Sequence, residues 1–448
     1  MWVDYTSPWQ IDKAGVPFTG TIKKVNPCSN ITINNVKLYD EFVVTTAKDP
    51  NNTAPNRNFY VSGLAFKYAF DFKVNNIEGT NTKFPLIFTL YSSHATIRNL
   101  KLLNPAIVGD GEGYGVQFNY TKNIELTDAY SEGARHLVDF TGAAFAKVTN
   151  VQGIRSYSNT FQQHGFYEHN IFYRNTLGSF NGGSGINFGN ASRHVEFDNH
   201  NGWISGSYLN DYTIKNSKIK LSKPPSDSRI ENSEVLIYTT AAGFSPEGRT
   251  PTSQRELVFI DCTVDIQNDS ATGVFKDFKS LTFERCIVGN TYNGTNGFAI
   301  ELDNVSRLAL SNCSEIKGIR FKFKGTNNQK VDIRNSDIIG SINTEEYFIT
   351  GDGTGSCTVN VTVSDSNFIG QRPDGNKFKA VKSPTNATSA VTETIINLTN
   401  NVFENSEVTG VKTSDVDVFK TRGNILKTAS TFSVDTTIAH KIEDNVSI

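Results

Sequence analysis

The chain has 448 residues, a formal net charge of −2 and 37% hydrophobic residues, with no apolar run long enough to cross a membrane as a helix. Near-neutral charge leaves no basic footprint, so neither nucleic acid nor a membrane is an expected partner. The 31 Phe and 16 Tyr argue against disorder, and Asn at about one residue in ten, roughly twice ordinary usage, argues for short strands joined by tight turns.

Residues 1–27 fit no repeat and read as an entry segment or cap; the opening M-W-V-D-Y-T-S-P-W-Q has neither the basic start nor the apolar stretch of a signal peptide. From about residue 28 a short pattern recurs: apolar, any, apolar, two polar residues often including Asn, then a small or apolar residue. It reads I-T-I-N-N-V to Val36, F-Y-V-S-G-L to Leu64, A-T-I-R-N-L to Leu100, I-E-L-T-D-A to Ala129 and A-K-V-T-N-V to Val151. It continues as I-F-Y-R-N-T to Thr176, V-E-F-D-N-H to His200 and Y-T-I-K-N-S to Ser217, and on through the second half to H-K-I-E-D-N at Asn445. Most spacings are too short for a βαβ unit and too regular for a sandwich. Each copy alternates with period two, as a strand with one face inward does. Stacked repeats of two or three such strands make an all-β, right-handed parallel β-helix over 28–448, almost free of α-helix.

The paired polar residues sit where the chain must bend, because Asn tolerates the left-handed backbone and bonds its own main chain there. Cys262, Cys286 and Cys313 occupy one position in successive repeats, which predicts an internal packing column rather than disulfides or a metal site. G-D-G-E-G-Y-G (109–115) reads as a turn, since no strand-to-helix context marks a phosphate loop. The stretches 242–254, 370–377 and 383–392 read as loops off the coil. A single methionine at position 1, and a pattern that runs uncapped to Asn445, are expected of a segment of a longer protein or of a coil capped by partner chains.

A second strand is expected one step before the motif in the middle of the chain. G-V-Q-F-N (115–119), L-V-D-F-T (137–141) and I-N-F-G-N (186–190) turn Phe118, Phe140 and Phe188 inward, and Gln117, Asp139 and Asn187 outward on one face. F-Y-E-H-N (166–170) belongs between the last two, and alternation leaves open whether Tyr167 or Glu168 faces out beside Asp139.

Titratable groups concentrate on these rungs: five of the seven histidines lie between Glu132 and His200. Neighbouring rungs of a parallel coil are about 4.8 Å apart, so Asp139 and Glu168, and likewise His136 and His164, are expected to be neighbours in space. Two carboxylates with two or three imidazoles suit acid–base hydrolysis. Asp139 and Glu168 are the expected acid–base pair, with His136, His164 and His169 tuning or sharing proton transfer. Glu132, Arg135, Gln117, Tyr167 and Asn187 are the expected substrate-binding groups. His194 and His200 read as turn residues. The competing account of the whole cluster is a polar ladder that satisfies buried turns. No metal or cofactor is expected.

S-E-G-A-R-H-L-V-D-F, Q-H-G-F-Y-E-H-N and R-H-V-E-F-D-N-H-N-G resemble the pectate-lyase-like (pectin-lyase-like) β-helix domains of phage tail spikes and neck appendages, especially of phages on Gram-positive hosts. The resemblance covers roughly residues 90–240. It implies a homotrimeric virion fibre, associated with other tail proteins, that acts at the host cell surface. Such a fibre binds a surface glycan or wall teichoic acid and often degrades it. Pectate lyases use a Ca²⁺ cluster of Asp residues with an Arg base. That cluster is missing from this sequence, so hydrolysis is expected ahead of lyase chemistry, with a non-catalytic receptor-binding adhesin as the other alternative.

Overall fold

The computed structural model describes residues 26–39, 63–106, 108–109, 111–164, 168–182, 192–206, 209–223, 227–239, 255–268, 272–289, 298–324, 328–340, 348–351, 357–371, 376–382, 391–410, 418–427, 430–434, 439–443 and 445–447. Among these every regular element is a β-strand. Two compact units divide the chain, 1–218 and 219–448, and each is an all-β parallel β-helix. The first 25 residues and most of the three expected loops lie outside the described residues.

In unit 1 the strands run β1 (Cys28–Tyr39), β2 (Leu64–Lys67), β3 (Ala69–Thr80), β4 (Ile87–Leu90), β5 (Ser93–Leu103), β6 (Tyr114–Asn119) and β7 (Lys122–Glu132). They continue as β8 (His136–Thr141), β9 (Ala144–Ile154), β10 (Phe161–Gln163), β11 (His169–Leu177), β12 (Phe180–Gly182), β13 (Ser192–Ser205) and β14 (Leu209–Lys215). Long odd-numbered strands β1 to β13 pair in parallel with one another, and short even-numbered strands β2 to β12 do the same. One turn of the coil is therefore one long and one short strand.

The long strands are bent, and the bend is where the motif places its polar pair. Asn35, Asn76, Asn99, Asp128, Asn150, Asn175 and Asn199 all have φ between +52° and +60°. That left-handed backbone is strained for most L-residues and eased in Asn and Asp by local side-chain hydrogen bonds. The side chains also bond each other from turn to turn: Asn76 Nδ2 donates to Asn35, Asn99 to Asn76, Asn150 to Asp128, Asn175 to Asn150 and Asn199 to Asn175, at 2.8–3.1 Å. The residue after each corner points inward, so Ile77, Leu100, Ala129, Val151, Thr176 and His200 form one buried register column. The copy ending at Ile77, F-K-V-N-N-I, is one that the motif reading passes over in favour of 59–64, whose first four residues lie outside the described part.

Aromatic rings fill the core. Phe118 stacks on Phe140 at 5.4 Å, and Tyr173 on Phe197 at 4.7 Å with Phe180 edge-on to both. Such pairs add about 0.5–1.5 kcal/mol each beyond area burial.

Unit 2 repeats the plan with three strands per turn; one series, from Thr272–Lys276 to Thr431–Val434, forms a seven-stranded parallel sheet of its own. Its corners are again left-handed at Asn232, Asp261, Arg285, Asn312, Asn335, Asp365 and Asn400. The next residue in each turn faces inward, and Cys262, Cys286 and Cys313 stand there as buried free thiols, as the repeat register predicts. Below them the column continues through Ser336, Ser366, Asn401 and Asn424, each accepting the backbone N–H of the turn before.

The corner geometry predicts an inverted order of substitutions. Asn150→Gly keeps the left-handed backbone at little steric cost, whereas Asn150→Ala adds about 1–2 kcal/mol of strain. Both lose the same ladder bonds, so denaturant unfolding should find the alanine variant less stable by that margin. Equal stabilities would show that the left-handed corner is not a constraint.

Candidate active site

Short strands β4, β6, β8, β10 and β12 put Phe88, Gln117, Asp139, Gln162 and Asn181 in a single register column. Alternation turns Phe118 and Phe140 to the core and this column away from it. The outer side of β8 is nevertheless covered, and only Thr141 of its six residues is partly open. The segment 155–160 stacks, as the next turn of the coil, on the turn before β8. Tyr157 N donates to Ala134 O, and Thr160 O accepts from both Leu137 and Val138. Gly178 closes on Thr160, where a Cβ would meet its Oγ1 at 2.2 Å, and its φ of +135° adds a second reason for glycine.

Within β8, His136 is 2% exposed. Its Nδ1 donates to Asn159 O at 2.6 Å, its Nε2 accepts from Arg135 Nε at 3.4 Å, and its ring stands edge-on to Tyr114 at 4.9 Å. Burial pushes its pKa down to about 4, against the opposing pull of Asp139, so the ring is neutral at pH 7.

Asp139 is fully buried, and its Oδ2 accepts from His164 Nε2 at 2.8 Å. Burial alone would raise its pKa. The charge and hydrogen bond of His164, then His136 and Gln117, outweigh burial and hold the carboxyl below its usual range. Burial likewise works against charge on His164. The charge and hydrogen bond of Asp139 and the charge of Glu168 overcome it, and the imidazole titrates above its ordinary value. A carboxylate–imidazolium pair results. Its imidazole keeps some contact with solvent, at 22% side-chain exposure against none for the carboxylate. Asp139 Oδ1 makes no hydrogen bond among the described residues; the Gln117 amide lies near enough to favour the charge without closing one.

Glu168 is also fully buried, and burial raises its pKa. Three donors offset that cost: Gly142 N and His164 N to Oε1 at 3.1 and 3.3 Å, and Ser192 Oγ to Oε2 at 3.0 Å. His164 thus joins the two carboxylates, through its ring to Asp139 and through its backbone to Glu168. Of the two readings left open at 166–170, Glu168 is turned inward against Gly142 and Ser192, while Tyr167 lies outside the described residues.

The structure brings His136, Asp139, His164, Glu168, Arg135 and Gln117 together. It puts His169 elsewhere, at the start of β11, edge-on to Phe145 and within the field of His194 and Lys122; burial lowers its pKa, and those two charges lower it further. Glu132 ends β7 and pairs with Arg155. His194 occupies a left-handed corner and pairs with Asp211, and His200 points into the core against Phe161 and Phe197. Tyr167, Asn187 and Phe188 lie outside the described residues. The short strand next to Asp139 is not F-Y-E-H-N (166–170), the segment expected there, but F-Q-Q (161–163), followed by F-N-G (180–182), both too short to show alternation.

Those short strands carry groups that sequence reading passes over. Gln162 Oε1 accepts from Asn181 beside Asp139. Gln163 Nε2 donates to Tyr173 OH at 3.0 Å and its Oε1 accepts from Tyr212 OH at 2.9 Å, so a buried polar chain lies behind His164. The doublet Gln162–Gln163, between Phe161 and His164, is the sequence signal for them.

Linkage separates the histidines by pH window. His136 and His200, pushed down by burial to about 4 and about 3, contribute stability that is present above pH 6.5 and lost as pH falls toward those values. Each shift corresponds to roughly 3–5 kcal/mol at 1.36 kcal/mol per unit. His164, shifted up, contributes stability present below pH 6.5 and lost as pH rises past its folded pKa. Unfolding free energy should therefore fall on acidification from pH 6.5 to 4, and His136→Gln should flatten that limb. An unchanged slope in the variant would contradict a buried neutral His136.

No protein-family model and no curated protein matches this chain. Among solved structures it is similar to a tailspike protein mutant of E. coli bacteriophage HK620, at 10% identity over 84% of this chain and 73% of that one, with a TM-score of 0.34. It is similar also to the same phage's tailspike protein in complex with a pentasaccharide, at 10% identity over 85% of this chain and 64% of that one, with a TM-score of 0.27. A likeness of that size says nothing about activity.

Proposed function

We propose that this chain is a phage tail spike or appendage protein that binds and degrades a host cell-surface polymer, either wall teichoic acid or a surface polysaccharide, by proton-transfer hydrolysis at the His164–Asp139 pair. It would act at the host surface as a homotrimer attached to other virion tail proteins. The motif resemblance over residues 90–240 supports the biological role. The observation that carries the chemistry is a buried carboxylate held charged against an imidazole that reaches solvent.

In this reading Asp139 holds the ring and stabilises its cationic form, as the buried aspartate of a hydrolase triad does. Nε2 is engaged by Asp139, and the imidazole as a whole, which keeps contact with solvent, is the group that exchanges a proton with substrate. The imidazolium gives its proton to the leaving oxygen as the scissile bond breaks. Water adds to the carbon or phosphorus left behind, and the proton it loses returns to His164. The raised pKa of His164 suits the acid step near neutral pH. Glu168 acts as a positioning group: capped by three donors, it fixes the backbone of His164 and adds to the field that keeps the ring charged. Arg135, on the turn beside His136, is placed to meet an anionic group such as a polymer phosphate.

A second reading, an adhesin without catalysis, is favoured by the full burial of both carboxylates, which also fits a polar network that only fixes the rungs. Fragment release from purified cell walls separates the two, with defined teichoic acid and capsule digested side by side to name the bond class. Asp139→Asn and His164→Gln should bind walls normally and release fragments about 10²–10⁴-fold more slowly. Glu168→Gln should cost more in stability than in rate. Retention of wild-type protein without any soluble product would establish the adhesin, and wild-type rates in both variants would move the chemistry elsewhere.

A further inference from the structure

A second feature of unit 1 lies away from the short strands, where the long strands begin. Each long strand carries a left-handed residue two or three positions in, and these align as Asp71, His94, Asn123, Phe145, Asn170, His194 and, on β14, Asp211. Six are Asn, Asp or His, whose short polar side chains ease that conformation. Phe145 has no such relief at φ +55°, and burial does not repay the strain, because its side chain is 39% exposed. The other exposed phenylalanines among the described residues, Phe70 and Phe172, stand at the same corner. Phe145 stands edge-on to His169, and Phe70 is tilted against His94 at 4.7 Å. A groove of about 470 Å³ runs beside Phe145 and Phe172, lined also by His94, Asn123, Glu125 and Lys147.

We propose that this groove is a carbohydrate-binding site for an uncharged pyranose strand, distinct from the His164–Asp139 centre and independent of whether that centre is catalytic. A pyranose offers a flat face of C–H groups and a rim of hydroxyls. Exposed rings take the face by apolar contact, and planar amide and carboxylate groups take pairs of hydroxyls. The lining supplies both, with Phe145 and Phe172 on adjacent rungs beside Asn123, Glu125 and Lys147. The groove's charges, Asp71 and Glu125 against Lys147 and the Arg98 that pairs with Glu125 at 3.2 Å, balance and leave it without the cationic excess that a polyphosphate strand needs. His94 and Phe145 are two rungs apart, about 10 Å along the coil at about 4.8 Å per strand, a spacing that suits one disaccharide of an extended chain. Strain kept at an exposed ring, where Asn would relieve it, is the mark of a side chain retained for binding rather than for folding.

The test uses the full chain on a printed array of neutral and anionic bacterial-surface oligosaccharides that includes poly(glycerol phosphate). Wild type and a control variant at an exposed ring outside the groove, Tyr39→Ala, should bind the same neutral glycans. Phe172→Ala and Phe145→Asn should bind them at least about tenfold more weakly, equal to about 1.4 kcal/mol, while Phe145→Asn melts at a higher temperature than wild type. Four results would overturn the proposal: no neutral glycan retained by wild type, retention of anionic polymers alone, full binding by Phe145→Asn, or a change of oligomeric state in Phe145→Asn that marks the corner as an interface between copies.

Discussion

The left-handed corner in the middle of each long strand is the constraint on which the rest of unit 1 depends. A parallel coil must turn without breaking its ladder, and one residue per turn does this by taking positive φ. That residue is Asn or Asp at every corner from Asn35 to Asn199. The side-chain amides then bond to the turns before and after, so the local solution to a backbone problem becomes a rung-to-rung ladder. Because the next residue is thrown inward, the corner also fixes which side chains make the core. Everything downstream, including the column that holds Asp139, inherits its register from that choice.

At the candidate site the governing balance is between desolvation and pairing. Two carboxylates and two imidazoles lie within one small region, and burial opposes charge on each. Pairing outweighs burial for Asp139 and His164, favouring their charged forms, whereas for His136 burial outweighs the pull of Asp139 and of the Asn159 carbonyl, and the ring ends neutral. Buried ion pairs of this kind are weak contributors to stability, and removing one partner leaves an uncompensated charge. On the two adjacent rungs the position equivalent to Asp139 carries a neutral amide, Gln117 and Gln162.

Much of this was legible in the residues. The Asn-bearing motif located the corners, its last residue located the inward column, and the Cys262–Cys286–Cys313 stack followed from repeat register alone. Phe118 and Phe140 inward, with Gln117 and Asp139 opposite, followed from period two. The reading failed where strands are too short for periodicity to show, at 161–163 and 180–182, so Gln162, Gln163 and Asn181 went unseen. Alternation also gives no sign that Asp139, sent outward, is fully buried where it pairs with His164. His164, rather than either carboxylate, keeps contact with solvent. Proximity in sequence groups His169 with the cluster, but it directly follows the buried Glu168 and its ring lies on the other side of the strand, against Phe145.

The account stands on the charge state of His164. Nitrogen-15 NMR of the histidine rings in the folded chain measures it directly, across a pH titration of wild type and Asp139→Asn. The pair predicts a His164 midpoint above 6.5 that drops when Asp139 loses its charge, with His136 staying neutral down to about pH 4. A His164 midpoint at or below 6.5, or one that Asp139→Asn leaves unmoved, would contradict it.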